Sequence, residues 1–218
     1  MGLLDGLKQQ AETLKQEQES GPTSPLQKLQ AMQPGLQEAL HYLSDLANAL
    51  NITKPAVYRS YYVDTANRLE QLAQCEYMVR EKRRTVNHKD YLEEVVFGFR
   101  CVGTRNLTIE KTSAASVSRL REYLWTYNFR FEYRESTSER GVLERGTFTV
   151  IADVPATATL AGDWDTGKIT LTLKNVERPG DTVYTYDVVE INVALLEELA
   201  ALLLGKPNRL RDLGSHQQ

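Results

Sequence analysis

The sequence predicts an α+β protein: a mainly antiparallel β-sheet covered by helices, preceded by an N-terminal helical arm. Three observations predict it. Apolar residues between positions 2 and 50 recur at helical spacing. From about 56 to 189 they recur mostly at every second position, and Gly, Pro and Asp break the runs at turns too short for parallel crossovers. A Leu-rich helical run, "NVALLEELAALLLG", then closes the pattern at 192–205.

The arm spans 1–51. Leu3, Leu7, Ala11 and Leu14 follow one helical face over 2–19, and Leu4 widens it. "SGPTSP" (20–25) ends that helix as a linker. A second helix over 26–50 carries Leu26, Leu29, Leu36, Leu40, Leu43, Leu46, Ala47 and Leu50, and Pro34-Gly35 is expected to break or kink it.

Residues 52–126 change character. "AVYRSYYV" (56–63) reads as a strand, and 73–83 reads as a strand within a stretch, 67–84, that also carries helical spacing. "YLEEVVFGFRCV" (91–102) alternates cleanly, and Gly103-Thr104 turns it into "NLTIEK" (106–111). Thr112 or Ser113 then caps a helix to about Leu124, with Val117, Leu120 and Leu124 inward.

Residues 127–207 repeat that grammar. Strands are expected at 127–135, 143–153, 157–161, 168–174 and 182–189, with turns at "SERG" (138–141), "DTGK" (165–168) and "RPGD" (178–181). Pro179-Gly180 suits the middle of a type II turn. Both halves run strands and then a helix, so a duplicated meander-plus-helix unit, two helices on one curved sheet, is one expectation. Residues 208–218 form a polar tail. The helix at 192–205 is apolar nearly all round, which predicts cover on two sides: the sheet, and either residues 36–50 or a second subunit.

Composition excludes more than it assigns. A net charge of −3 supplies no global pull toward nucleic acid or anionic membrane. Cys75 and Cys101 make neither a CxxC pair nor a disulfide framework, and free thiols are expected. No apolar run reaches the ~18 residues of a membrane span. The start "MGLLDGLKQQ" lacks the basic and apolar regions of a secretory signal, so a cytoplasmic location is expected. No phosphate loop, HExxH or GxSxG occurs, and His41, His88 and His216 lie far apart. Glu93-Glu94 and Glu197-Glu198 are neighbours that diverge on a strand or helix. No catalytic residue, cofactor or metal is therefore predicted. "GDWDTGK" (162–168) opens like a calcium loop, but its twelfth position is Lys174 where a Glu is required.

Three features are candidates for function. The arm, through Leu3, Leu4, Leu7 and Leu14, has a mixed polar face (Asp5, Lys8, Glu12, Lys15, Glu19) that suits a protein partner or self-association better than a membrane surface. "REKRRTVNHK" (80–89) gathers Arg80, Lys82, Arg83, Arg84 and Lys89, a contact for phosphate or an acidic partner, or a solvated strand end. "YLWTYNFRFEYRES" (123–136) sets Tyr127, Phe129, Phe131 and Tyr133 at alternate positions. One strand face of four rings reads first as core, then as the wall of a cavity for an apolar or lipid ligand, and last as a base-stacking platform. The expected function is a non-catalytic interaction or assembly protein; apolar-ligand binding and anion or nucleic-acid binding are the alternatives.

Overall fold

The computed structural model describes residues 25–137, 143–213 and 215–217. The helix read over 2–19 and the "SERG" turn lie outside these residues. The chain runs α1 (Pro25–Thr53), β1 (Tyr58–Tyr62), β2 (Arg68–Val86), β3 (Lys89–Val102), β4 (Leu107–Lys111), α2 (Ala114–Thr126), β5 (Phe131–Thr137), β6 (Leu143–Val150), β7 (Asp153–Gly162), β8 (Ile169–Lys174) and β9 (Asp181–Tyr186). α3 (Val193–Leu203), the single turn α4 (Leu210–Leu213) and β10 (Ser215–Gln217) complete it. The predicted α+β class holds, and all strand pairs are antiparallel.

Two sheets form. The larger has the order β1-β2-β3-β7-β8-β9-β10, the smaller β4-β6-β5. Both sheets therefore draw strands from each of the halves at 57–124 and 127–205. β3 of the first half pairs with β7 of the second along Glu94↔Ala161 to Val102↔Asp153, and β4 joins β5 and β6. β2 bends around the core at two bulges, where Gln71 and Glu76 adopt positive φ (52° and 56°). Alternation then points Leu92, Val95, Phe97, Phe99 and Cys101 of β3 inward, with Ala156, Ala158 and Leu160 of β7 and Leu171 and Leu173 of β8.

α1 fills the concave side. Leu29, Met32, Leu36, Ala39, Leu43, Ala47 and Leu50 recur every three or four residues and are all buried. The 26–50 helix is thus the centre of the core and not part of a free arm, because its apolar stripe is the one that covers the sheet. It is also one unbroken helix through Pro34. Pro34 lies on the solvent side, and Gly35 serves close packing: a Cβ there would lie 3.2 Å from Ile191 Cβ. Two amides staple the helix to strand backbone left open at bulges. Gln33 exchanges hydrogen bonds with Leu92 N and O (2.8 and 2.9 Å), and Asn51 with Tyr77 N and O (3.2 and 2.7 Å).

α3 starts at Asn192, whose side chain accepts from Leu195 N. Leu195, Leu196, Leu199, Leu202 and Leu203 are buried, and the helix packs on α1 and on the turn α4. Its last carbonyls are capped from β1 and β2: Arg59 Nη2 donates to Leu202 O and Leu203 O, and Gln74 Nε2 to Leu203 O. α2 lies on the small sheet instead. Among the described residues it is α1, from outside both halves, that lies along β2, β3 and β7 of the large sheet, with α3 packed on α1, in place of the expected pairing of one helix from each half.

Candidate interaction surface

The ring stripe does not form one strand face. Trp125 belongs to the last turn of α2, Asn128 turns the chain with φ 57°, and β5 begins only at Phe131. The predicted strand 127–135 starts four residues late because an Asn in the left-handed region ends the helix inside it. The rings part accordingly. Phe129 is buried edge-on to Tyr61 (6.3 Å) and stacked on Tyr123 (6.2 Å). Phe131 and Tyr133 lie against Phe148 at 5.7 and 4.7 Å, on the face of the small sheet that α2 covers. Tyr127 meets Tyr123 at 4.7 Å. Tyr127, Phe129, Phe131 and Tyr133 are held by protein, not arrayed along one cavity wall.

α2 is fixed from several sides. Ser113 caps it, its side chain accepting from Ser116 N. Val117 passes so close to Gly146 that a Cβ there would meet it at 2.7 Å. Tyr123 donates its hydroxyl to Tyr62 O (2.9 Å), and the buried Asn175 amide donates to Tyr127 O (2.8 Å) and Pro155 O (3.1 Å). With Val117, Leu120 and Leu124 inward, Trp125 projects outward and is 67% exposed. Ser118, Arg121, Glu122 and Thr126 line a recess of about 320 Å³ beside it. Arg121 itself lies over the Tyr133 ring at 4.3 Å. The inward pattern of α2 placed Trp125 outside from sequence alone, but reading it with the alternating rings hid that signal.

The basic segment forms the far end of the β2–β3 hairpin, closed by Asn87 and His88 at positive φ (51° and 60°). Its cations are largely paired. Arg83 binds Glu81 (2.9 Å), and Lys82 and Arg84 share Glu93 (3.1 and 2.6 Å). Arg84 also lies 4.1 Å over the Trp164 ring. Arg80 and Lys89 are exposed with no ion pair among the described residues.

Two polar centres inside the body went unread in the sequence. Asp153, only 7% exposed, accepts from both Arg100 (Nε at 2.8 Å) and Arg130 (2.6 Å), and Arg100 also reaches Glu76 (2.7 Å). The Arg100 hydrogen bonds, against the push of burial and with help from Arg130, hold the Asp153 carboxyl below the usual range. This cluster ties β3, β7 and the start of β5. Further in, Tyr61 donates to Asn175 O (2.8 Å) and contacts Cys101 Sγ (3.2 Å). Burial pushes the Cys101 thiol up to about 11, and burial with Glu76 raises Cys75, so both are poor nucleophiles near neutrality.

The acidic turn is a hairpin between β7 and β8. Asp163 accepts from Asp165 N, Thr166 N and Thr166 Oγ1, and Gly167 takes φ 76°. Among the described residues no three His, Cys, Asp or Glu side chains gather as metal ligands. His41 and His88 are exposed and far apart in the chain. No helix among the described residues is long and apolar enough to cross a membrane. The chain matches no family model, no curated protein and no solved structure, so neither family nor function comes by similarity.

Proposed function

We propose that the protein is a non-catalytic interaction or assembly protein whose partner-binding surface is the outer face of α2 around Trp125. The carrying observation is the 67% exposure of that tryptophan on a helix held at its C-terminal end by the Tyr123 and Asn175 hydrogen bonds and near its start by Val117 against Gly146. A large aromatic on a rigid support loses little freedom on binding, and tryptophan dominates interface energetics. The interior favours this reading over an apolar-ligand site, because α1 and α3 fill the concave face with buried leucines. The pairing of Lys82, Arg83 and Arg84 weakens the anion reading in the same way.

The sequence-predicted helix 2–19 remains a second contact. Most outward residues of α1 (Gln30, Gln37, Glu38, His41, Asp45, Asn48) are polar, and its exposed apolar residues (Ala31, Pro34, Ala49, Ile52) are interspersed among them. Affinity capture from the native cell tests the proposal, using the full chain, Trp125→Ser, and Leu7→Glu with Leu14→Glu. Partners lost with Trp125→Ser are expected. A capture profile unchanged by Trp125→Ser overturns the α2 face as the partner surface.

A further inference from the structure

On the solvent side of α2, Ala115, Ser118, Glu122 and Trp125 follow spacings of three, four and three, and all four are exposed. Size is distributed unevenly along this seam. Its N-terminal end is small (Ala114, Ala115, Ser118), and its C-terminal end carries Trp125. Glu122 stands between them, flanked by Arg119 and Arg121. Such a seam fits a copy of itself in one orientation only. Run parallel, tryptophan meets tryptophan and glutamate meets glutamate. Turned about a two-fold axis near Leu120, Trp125 of one copy falls over Ala115 of the other, and Glu122 over Ser118. Each Glu122 then comes within reach of the other copy's exposed Arg119, about one residue's rise away along the axis.

We infer that the outer face of α2 pairs antiparallel with the same face of a second copy of this chain. The inference rests on the proposed role of the Trp125 face and names its occupant. The contact is isologous, so it closes at a dimer and leaves no open end for a fibre. Its size sets its strength. The 13 residues of α2 make a helix about 20 Å long. One stripe of it buries on the order of 300–400 Å² per copy, against roughly 800 Å² in a standard interface. The dimer is therefore weak, with Kd on the order of 100 µM.

Sedimentation equilibrium of the full chain from about 10 to 500 µM tests it. The native mass is expected to climb from 24.7 kDa toward twice that value with concentration. Trp125→Ser, Glu122→Arg and Arg119→Glu each weaken the dimer on the order of tenfold or more. Glu122→Arg sets arginine against arginine on both sides of the axis, and Arg119→Glu sets glutamate against glutamate. Their equimolar mixture restores opposite charges on both sides and associates to within about threefold of the native chain. Thermal melts of the three variants check folding. A native chain monomeric throughout, a dimer indifferent to Trp125→Ser, or a mixture no stronger than either variant alone overturns the inference. Any of these leaves the capture experiment free to find a different partner on the same face.

Discussion

Replacing Leu43 by alanine separates a core helix from an appended arm. Leu43 is fully buried in the middle of α1, between the concave face of the large sheet and α3. The helix is stapled ten residues before it by Gln33 and eight after it by Asn51, so the gap cannot close by a shift of α1. A buried leucine truncated where the surroundings stay put costs about 3–4 kcal/mol, the upper part of the range for such sites. With a urea m-value of roughly 3 kcal/mol/M for a chain of this size, the midpoint falls by about 1 M. Far-UV circular dichroism during urea titration reads both the midpoint and the slope. A peripheral helix would lose about 0.5 kcal/mol or less. A midpoint shift under about 0.2 M at unchanged slope would refute the placement of α1 at the centre of the fold.

Other expectations follow from particular contacts. Gly146→Ala drives a methyl group against Val117 and Tyr133, whose nearest atoms would lie at 2.7 and 3.0 Å. Denaturant titration should show a loss of about 1–3 kcal/mol, and Val117→Ala in the same chain should recover part of it. Tyr61→Phe leaves the buried Asn175 carbonyl without its donor, and a cost of about 1–2 kcal/mol is expected by the same method. In acid, Asp153 and Asp64 act in the same direction. Burial raises the Asp64 carboxyl, but hydrogen bonds from Asn67, Lys111 and the Ala66 and Asn67 amides outweigh it and leave it at about 2. Both folded values lie below the unfolded ~3.9, so their stabilisation is complete above about pH 5 and is lost as pH falls from 4 toward 2. Urea midpoints measured from pH 6 to 3 should fall less steeply in Asp64→Asn and Asp153→Asn. An unchanged slope would show that these carboxylates are not the linked groups.

Local signals carried most of the fold into the sequence. Ser113 before Ala114 and Asn192 before Val193 mark both helix starts, because their side chains satisfy first-turn amides. The alternation of 91–102 gave β3 its inward face, and the strand reading of 73–83 holds within the longer β2. What failed is what depends on partners distant in the chain. Pro34-Gly35 has the composition of a turn, yet its glycine answers to Ile191, more than 150 residues on. The expected strand 143–153 divides at 151–152 because the chain leaves the small sheet for the large one there. Strand 182–189 stops at Tyr186, before a short 3-10 turn. Site prediction followed the same line. The paired state of Lys82 and Arg84 depends on Glu93 from the adjoining strand, which a linear count of positive charge does not weigh.

The position of α1 also sets the order in which the molecule can be completed during synthesis. The leucine stripe of 29–50 leaves the ribosome ahead of the sheet that covers it: β2 and β3 follow within about 50 residues, and β7 to β9 with α3 over roughly 150. At about 5–20 residues per second, that interval is on the order of 10–30 s. For that time the apolar stripe of α1 has only β2 and β3 to cover it, and the non-local β3–β7 pairing that finishes the enclosure is intrinsically slow. Newly made chains are thus at greatest risk of wrong association before β7 appears.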